Sequence, residues 1–167
     1  MSISYHGCAI SKGNSPLTAT MPAVTDGDVL LMTVSIQRPS FPSITTPTGW
    51  TLLATTDGGS LNTPYSALYW RVASSEPGSY SITFVGNSGN ISQVTIVSLT
   101  GADTTQPVAA QFAAQYNASS VSCVSPALGS WSSANGIDVN LSYGLETVGA
   151  NSWTPPTNYT EPSGGDA

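Results

Sequence analysis

The chain has 167 residues, 40% of them hydrophobic and only 7% charged, with a net charge of −6; an ordinary soluble domain carries about 25% charged residues. Its three cations, Lys12, Arg38 and Arg71, leave no electrostatic footprint for a phosphate backbone, so nucleic acid is excluded as an expected partner. The 26 serines and 20 threonines supply surface polarity instead of charge, and the 16 glycines and 12 prolines favour strands and turns.

Residues Met1 to Cys8 contain neither the basic start nor the apolar block of a signal peptide, and none is expected. His6 to Cys8 fall on an expected first strand. Leu17, Ala19 and Met21 then alternate with polar residues, the period of a strand with one face on a core. Asp26-Gly27-Asp28 reads as a turn, and Leu30, Met32, Val34 and Ile36 form the inward set of the next strand. The aliphatic run Val29 to Met32 is the longest in the chain and far short of the roughly 20 residues that cross a bilayer, so no membrane span is expected. After the turn at Asp57-Gly58-Gly59, the bulky segment Leu68 to Val72 reads as a strand. Tyr80, Ile82 and Phe84 follow Glu76-Pro77-Gly78, and Ile91 to Leu99 follow Asn87-Ser88-Gly89-Asn90. Pro107 to Tyr116 is rich in helix-forming Ala and Gln, yet Val108, Ala110, Phe112, Ala114 and Tyr116 alternate, and the stretch is read as extended.

A shift of the sequence by 109 positions lays Gly27 on Gly136, Ser43 on Ser152, Thr45 on Thr154, Pro47 on Pro156, Thr48 on Thr157 and Thr51 on Thr160. The inward set Leu30, Met32, Val34, Ile36 lies on Val139, Leu141, Tyr143, Leu145. Strand phase is kept as well as identity, which matters because a one-residue slip turns every side chain to the other face. Trp50 falls on Tyr159, and each is expected to close the end of a core, with a sugar-stacking platform as the alternative. The expected architecture is therefore all-β and antiparallel, one domain over 1–167 in two pseudo-repeated halves, about 1–107 and 108–167. The second copy stops at Ala167 before the strands its first copy continues into, and is read either as degenerate or as incomplete, with the missing strands supplied by a neighbouring subunit or a continuation of the chain. An open edge of that kind is normally covered.

Five segments taken together carry a resemblance. They are Gly27-Asp28-Val29-Leu30-Leu31, Thr46-Pro47-Thr48-Gly49-Trp50-Thr51-Leu52-Leu53, Leu68-Tyr69-Trp70-Arg71-Val72-Ala73, Glu76-Pro77-Gly78-Ser79-Tyr80 and Thr100-Gly101-Ala102-Asp103 running on to Pro107-Val108. In this order they resemble a β-sandwich domain widespread in phage virion proteins, including tail fibres and head decoration or head-fibre proteins. The resemblance runs from about Ser2 to Pro162. It departs from the pattern at Asn135-Gly136-Ile137, where the second strand usually opens with Gly-Asp, and in lacking the final pair of strands. It implies a jelly-roll or Ig-like sandwich used for binding and assembly, in a capsid decoration or head-fibre subunit that binds the shell or self-assembles through strand edges and loops. The implied location is the virion, assembled in the host cytoplasm. Other virion proteins and further copies of the chain are the implied partners, with no catalytic residues. Two alternatives stand beside it: a tail-fibre or carbohydrate-binding module reading a host-surface glycan, and a filament subunit that exchanges strands.

Side-chain chemistry adds few candidates. Trp131, Trp153 and Tyr65 are the stacking platforms a glycan would need. His6 is the only histidine, and without a nucleophile motif it reads as a strand-end residue, not as part of a Ser-His-Asp group. Asp26/Asp28 and Asp138/Glu146 are the nearest carboxylate pairs, and for the first the turn preference of Asp is the simpler account. Cys8 and Cys123 are too few for zinc and are read as two half-buried thiols, with a disulfide between them as the alternative. Asn90, Asn117, Asn140 and Asn158 head glycosylation triplets that a chain this rich in Ser and Thr produces by accident. No enzyme activity, metal or cofactor is expected.

Overall fold

The computed structural model describes residues 3–37, 39–61, 63–85 and 92–105. These form nine strands: β1 (Ser4–Gly13), β2 (Leu17–Thr20), β3 (Val29–Gln37), β4 (Ser43–Ile44), β5 (Thr51–Asp57), β6 (Pro64–Val72), β7 (Ser79–Ile82), β8 (Phe84–Val85) and β9 (Ser92–Thr100). Every pairing is antiparallel. The order β1-β9-β3-β6-β5 makes a five-stranded sheet, while β2-β7 and β4-β8 form two short pairs. The fold is an all-β antiparallel sandwich, with the short pairs as its second layer. No helix among the described residues is long and apolar enough to cross a membrane.

Alternation decides which face is buried. Leu30, Met32, Val34 and Ile36 of β3 are fully enclosed, as the sequence pattern requires, and Val34 and Met32 sit opposite Val94 and Ile96 of β9. Ala67 and Tyr69 of β6 extend the same inner face. Leu17 and Ala19 of β2, with Ile82 and Phe84, close over it from the second layer. Burying a side chain of this size contributes roughly 1.5–3 kcal/mol, so this cluster is the main source of stability.

The expected strand at Tyr80 to Phe84 is divided. Ile82 pairs with Leu17 in β2, whereas Phe84 pairs with Ile44 in β4. Thr83 lies between and accepts a hydrogen bond from the Thr45 backbone N–H at 2.9 Å, so the chain passes from one short pair to the other without losing its inward phase. The segment Thr51–Asp57 has no clean alternation, yet it forms edge strand β5, with a bulge between Leu52 and Ala54. The bulge resets the phase of TLLATTD, which is why the period failed to reveal it.

The opposite face of the large sheet is apolar near the start of β3 and polar beyond Thr33. Val29 and Leu31 of β3 pair across to Leu99 and Val97 of β9, and Cys8 and Ile10 of β1 lie beside Val97 and Thr95. Leu68, Trp70 and Val72 of β6 continue that face. The second half of the expected repeat, 108–167, and the stretch Pro107 to Tyr116 lie outside the described residues.

Candidate functional site

The two ends of the sandwich differ in chemistry. At one end the loops after β2, β4 and β6 meet, and the residues are clasped by polar contacts. Arg71, at the inner edge of β6, places Nη2 3.0 Å from Glu76 Oε1 and donates from Nη1 to the Tyr80 hydroxyl at 2.6 Å. The Tyr80 hydroxyl in turn donates to Glu76 Oε2. Glu76 Oε1 also accepts the Ser74 backbone N–H at 3.0 Å, which closes the β6–β7 turn. The guanidinium lies 5.8 Å from the ring centroids of both Trp50 and Tyr80, and those two rings meet edge to face at 5.7 Å. Gly49 has φ of 81°, and a Cβ there would stand 3.2 Å from Arg71 Nη1, so this glycine meets both a backbone and a space requirement.

Burial first, then the neighbouring Glu76 carboxylate, pushes the Tyr80 phenol up to about 12. Trp50 is only 5% exposed, so its ring is not presented to a sugar. Gly49, Trp50, Arg71, Glu76 and Tyr80 belong to the motifs that carry the family resemblance, and they form one cluster.

His6 and Asp28 stand at the same end. The bulge between Tyr5 and Gly7 turns His6 out of the β1 ladder, and its Nδ1 lies 2.5 Å from Asp28 Oδ2. Asp28 also accepts the Thr25 backbone N–H at 2.9 Å. Burial opposes ionisation of Asp28, but the Thr25 N–H, His6 and the Thr100 hydroxyl outweigh it and hold the carboxyl below its ordinary value. Asp26 accepts the Ser75 backbone N–H at 2.7 Å. Both carboxylates of Asp26-Gly27-Asp28 are thus engaged in closing loops. Among the described residues no group of three or more His, Cys, Asp or Glu is placed to hold a metal.

The other end carries apolar tips. Gln37 at the end of β3 pairs with Pro64, Asp57 at the end of β5 pairs with Tyr65, and Ser43 pairs with Val85. The loops β3–β4 and β5–β6 and the end of β8 therefore emerge together. On them Phe41 is 86% exposed, Leu61 58% and Val85 54%. Phe41 stands in Pro39-Ser40-Phe41-Pro42, where two prolines limit the chain's freedom and keep the ring outside any strand. The Asp57 carboxylate accepts the Gly59 N–H at 2.8 Å, and the Thr63 hydroxyl donates to the Ser60 carbonyl at 2.6 Å, which shapes the loop bearing Leu61. Single apolar side chains are ordinary on protein surfaces; several of them on neighbouring loops are what marks a contact surface.

Of the residues singled out from sequence, Tyr65 lies in β6 with its ring partly buried against the core. Cys8 is half-buried on the outer face of the large sheet, and burial raises its thiol above the ordinary value. Trp131, Trp153, Cys123, the Asp138/Glu146 pair and the four glycosylation triplets lie outside the described residues. Phe41, Leu61 and Val85 were not singled out; an aromatic residue flanked by prolines outside every alternating segment was the available signal for Phe41. A shallow cleft of about 260 Å³ on the small layer is lined by residues 45–48, Tyr80, Ser81 and Thr83.

No family model matches the chain, and neither does any curated protein or solved structure.

Proposed function

We propose that this chain is a structural protein of a phage virion, a capsid decoration or head-fibre subunit that docks on the shell or on its own copies through loops and strand edges. The observation that carries this reading is the exposure of Phe41, Leu61 and Val85, on the loops and the strand end that the register places at one end of the sandwich. Three apolar tips among so few charges favour a contact made by burying area, with little ion desolvation to offset. The opposite end supports the reading in another way. Arg71, Glu76, Asp28 and His6 are held there in contacts that stiffen the loops, which suits a scaffold that presents a surface. The edge strands β1 and β5 offer further backbone groups for a neighbour.

The deciding experiment is cryo-electron microscopy of virions with and without the gene. Loss of protein density at regular sites on the shell is expected; identical density everywhere would overturn the reading. The contact residues are tested by adding purified F41S/L61S protein back to the deleted particles. Occupancy should require on the order of 30-fold more protein, as removal of a binding hot spot does, while the urea midpoint stays unchanged.

A further inference from the structure

We propose that β5 pairs edge to edge with β5 of a second copy of this chain, antiparallel about a two-fold axis, so that two five-stranded sheets join into one. The inference rests on the assembly reading above and names its edge and its partner. β5 stands at one end of the order β1-β9-β3-β6-β5 and, among the described residues, pairs with β6 alone. None of its seven residues is buried, whereas every other strand of that sheet has at least one that is. Leu52 is 46% exposed, and Thr51, Thr55 and Asp57 are exposed with it. An open edge presents backbone N–H and C=O groups ready for another strand, and proteins usually blunt it with Lys, Pro or a bulge. Residues 51–57 contain no Lys, Arg or Pro. The bulge lies between Leu52 and Ala54, and Ala54 to Asp57 run in unbroken register with β6.

The β1 edge of the sheet is built differently. The Thr20 N–H donates to Ser11 Oγ at 3.0 Å, which holds the end of β2 against β1. A Cβ on Gly7 would stand 3.0 Å from the Ala23 backbone, so the loop after β2 also lies against β1. Lys12 adds a charge to that strand.

Charge selects both the occupant of the β5 edge and its direction. The chain carries a net charge of −6, so two copies repel wherever their acids face each other. Along β5 the single ionised side chain is Asp57, at one end. An antiparallel pair centred on the strand sets the two Asp57 residues about 20 Å apart, beyond the screening length of about 8 Å, and lays neutral residues on neutral residues between them. A parallel pair would bring the two carboxylates side by side. Thr51, Thr55 and Thr56 carry hydroxyls of the kind that pair across strands. A two-fold contact must be self-complementary, and a strand neutral along its length meets that condition without a second surface.

Sedimentation of the purified full chain, with no shell present, should show a monomer–dimer equilibrium. L52E/T55E and L52K/T55K should each weaken it by about 100-fold, because like charges then meet at the shared edge, and an equimolar mixture of the two should restore a mixed dimer. A chain that stays monomeric, association that survives both double substitutions, or a mixture that does not recover would overturn the proposal. F41S/L61S, which reads docking on the shell, should leave this dimer intact; loss of the dimer there would assign self-association to the loop tips and overturn the β5 contact. Hydrogen exchange on the unmodified chain answers even where a variant fails to fold. Amides of residues 51–57 should exchange more slowly in the dimer than at dilutions where the chain is monomeric, and equal exchange in the two states would count against β5 decisively. Dimerisation through β5 in a chain whose deletion leaves shell density unchanged would support this inference and overturn only the shell reading.

Discussion

Glu76 serves two partners at once, the Arg71 guanidinium and the Tyr80 hydroxyl, and its side chain is almost fully enclosed. Removing one member of such a pair leaves the other buried without compensation. E76Q should therefore destabilise the domain by about 3 kcal/mol, read as a lower urea midpoint at unchanged slope. The same cluster sets an alkaline limit. The folded state holds the Tyr80 phenol neutral up to about 12, whereas the unfolded chain releases that proton near 10. The unfolded state thus loses a proton first, so the contribution is full below pH 10 and is lost as pH rises through about 12. Y80F should abolish this part of the alkaline decline in stability while losing the contacts with Arg71 and Glu76 at every pH. At the acid side the sign reverses. Asp28, whose carboxyl is held low, contributes above its unfolded value and loses that contribution as pH falls, so D28N should flatten the acid limb of the same titration.

At the scale of strands, phase was the property most open to sequence reading. The inward residues of β3 are all buried, and those of β2, β7, β8 and β9 lie on the same core. I96A should cost about 3–4 kcal/mol, because Ile96 is enclosed in the core opposite Met32 and a cavity remains; denaturant unfolding measures it. Phase alone did not disclose β5, whose bulge interrupts it, or β4, which at two residues is shorter than any period. Nor did it reveal that Ile82 and Phe84 face the same core from two different strand pairs, since an uninterrupted alternation looks the same whether or not the chain changes partner.

For the whole molecule, low charge and apolar tips make a joint prediction about association. Coulombic attraction between exposed groups is screened within about 8 Å at physiological salt and within about 3 Å at 1 M, whereas apolar burial is not weakened. In the proposed role, binding to a shell or to further copies of the chain should therefore persist from low salt to about 1 M sodium chloride in sedimentation; dissociation over that range would argue for a charged contact. The division of labour between the ends fits this. Polar contacts stiffen one set of loops, and the other set exposes Phe41, Leu61 and Val85.

Sequence by itself determined the class of fold and the inward face of the main strands, because hydrophobic period and turn residues are local properties. The motif residues Gly49, Trp50, Arg71, Glu76 and Tyr80 were legible as a series. Only the tertiary structure decided that they meet around one guanidinium, since the order of motifs along a chain does not contain the distances between side chains. The engagement of His6 with Asp28 belongs to the same class: a bulge in one strand and a turn 22 positions away bring them together. Exposure was likewise decided in space. Trp50 and Phe41 are both large aromatic residues in proline-rich loops, yet one closes over the core and the other points into water, because packing between layers, not residue type, determines which surface water can reach.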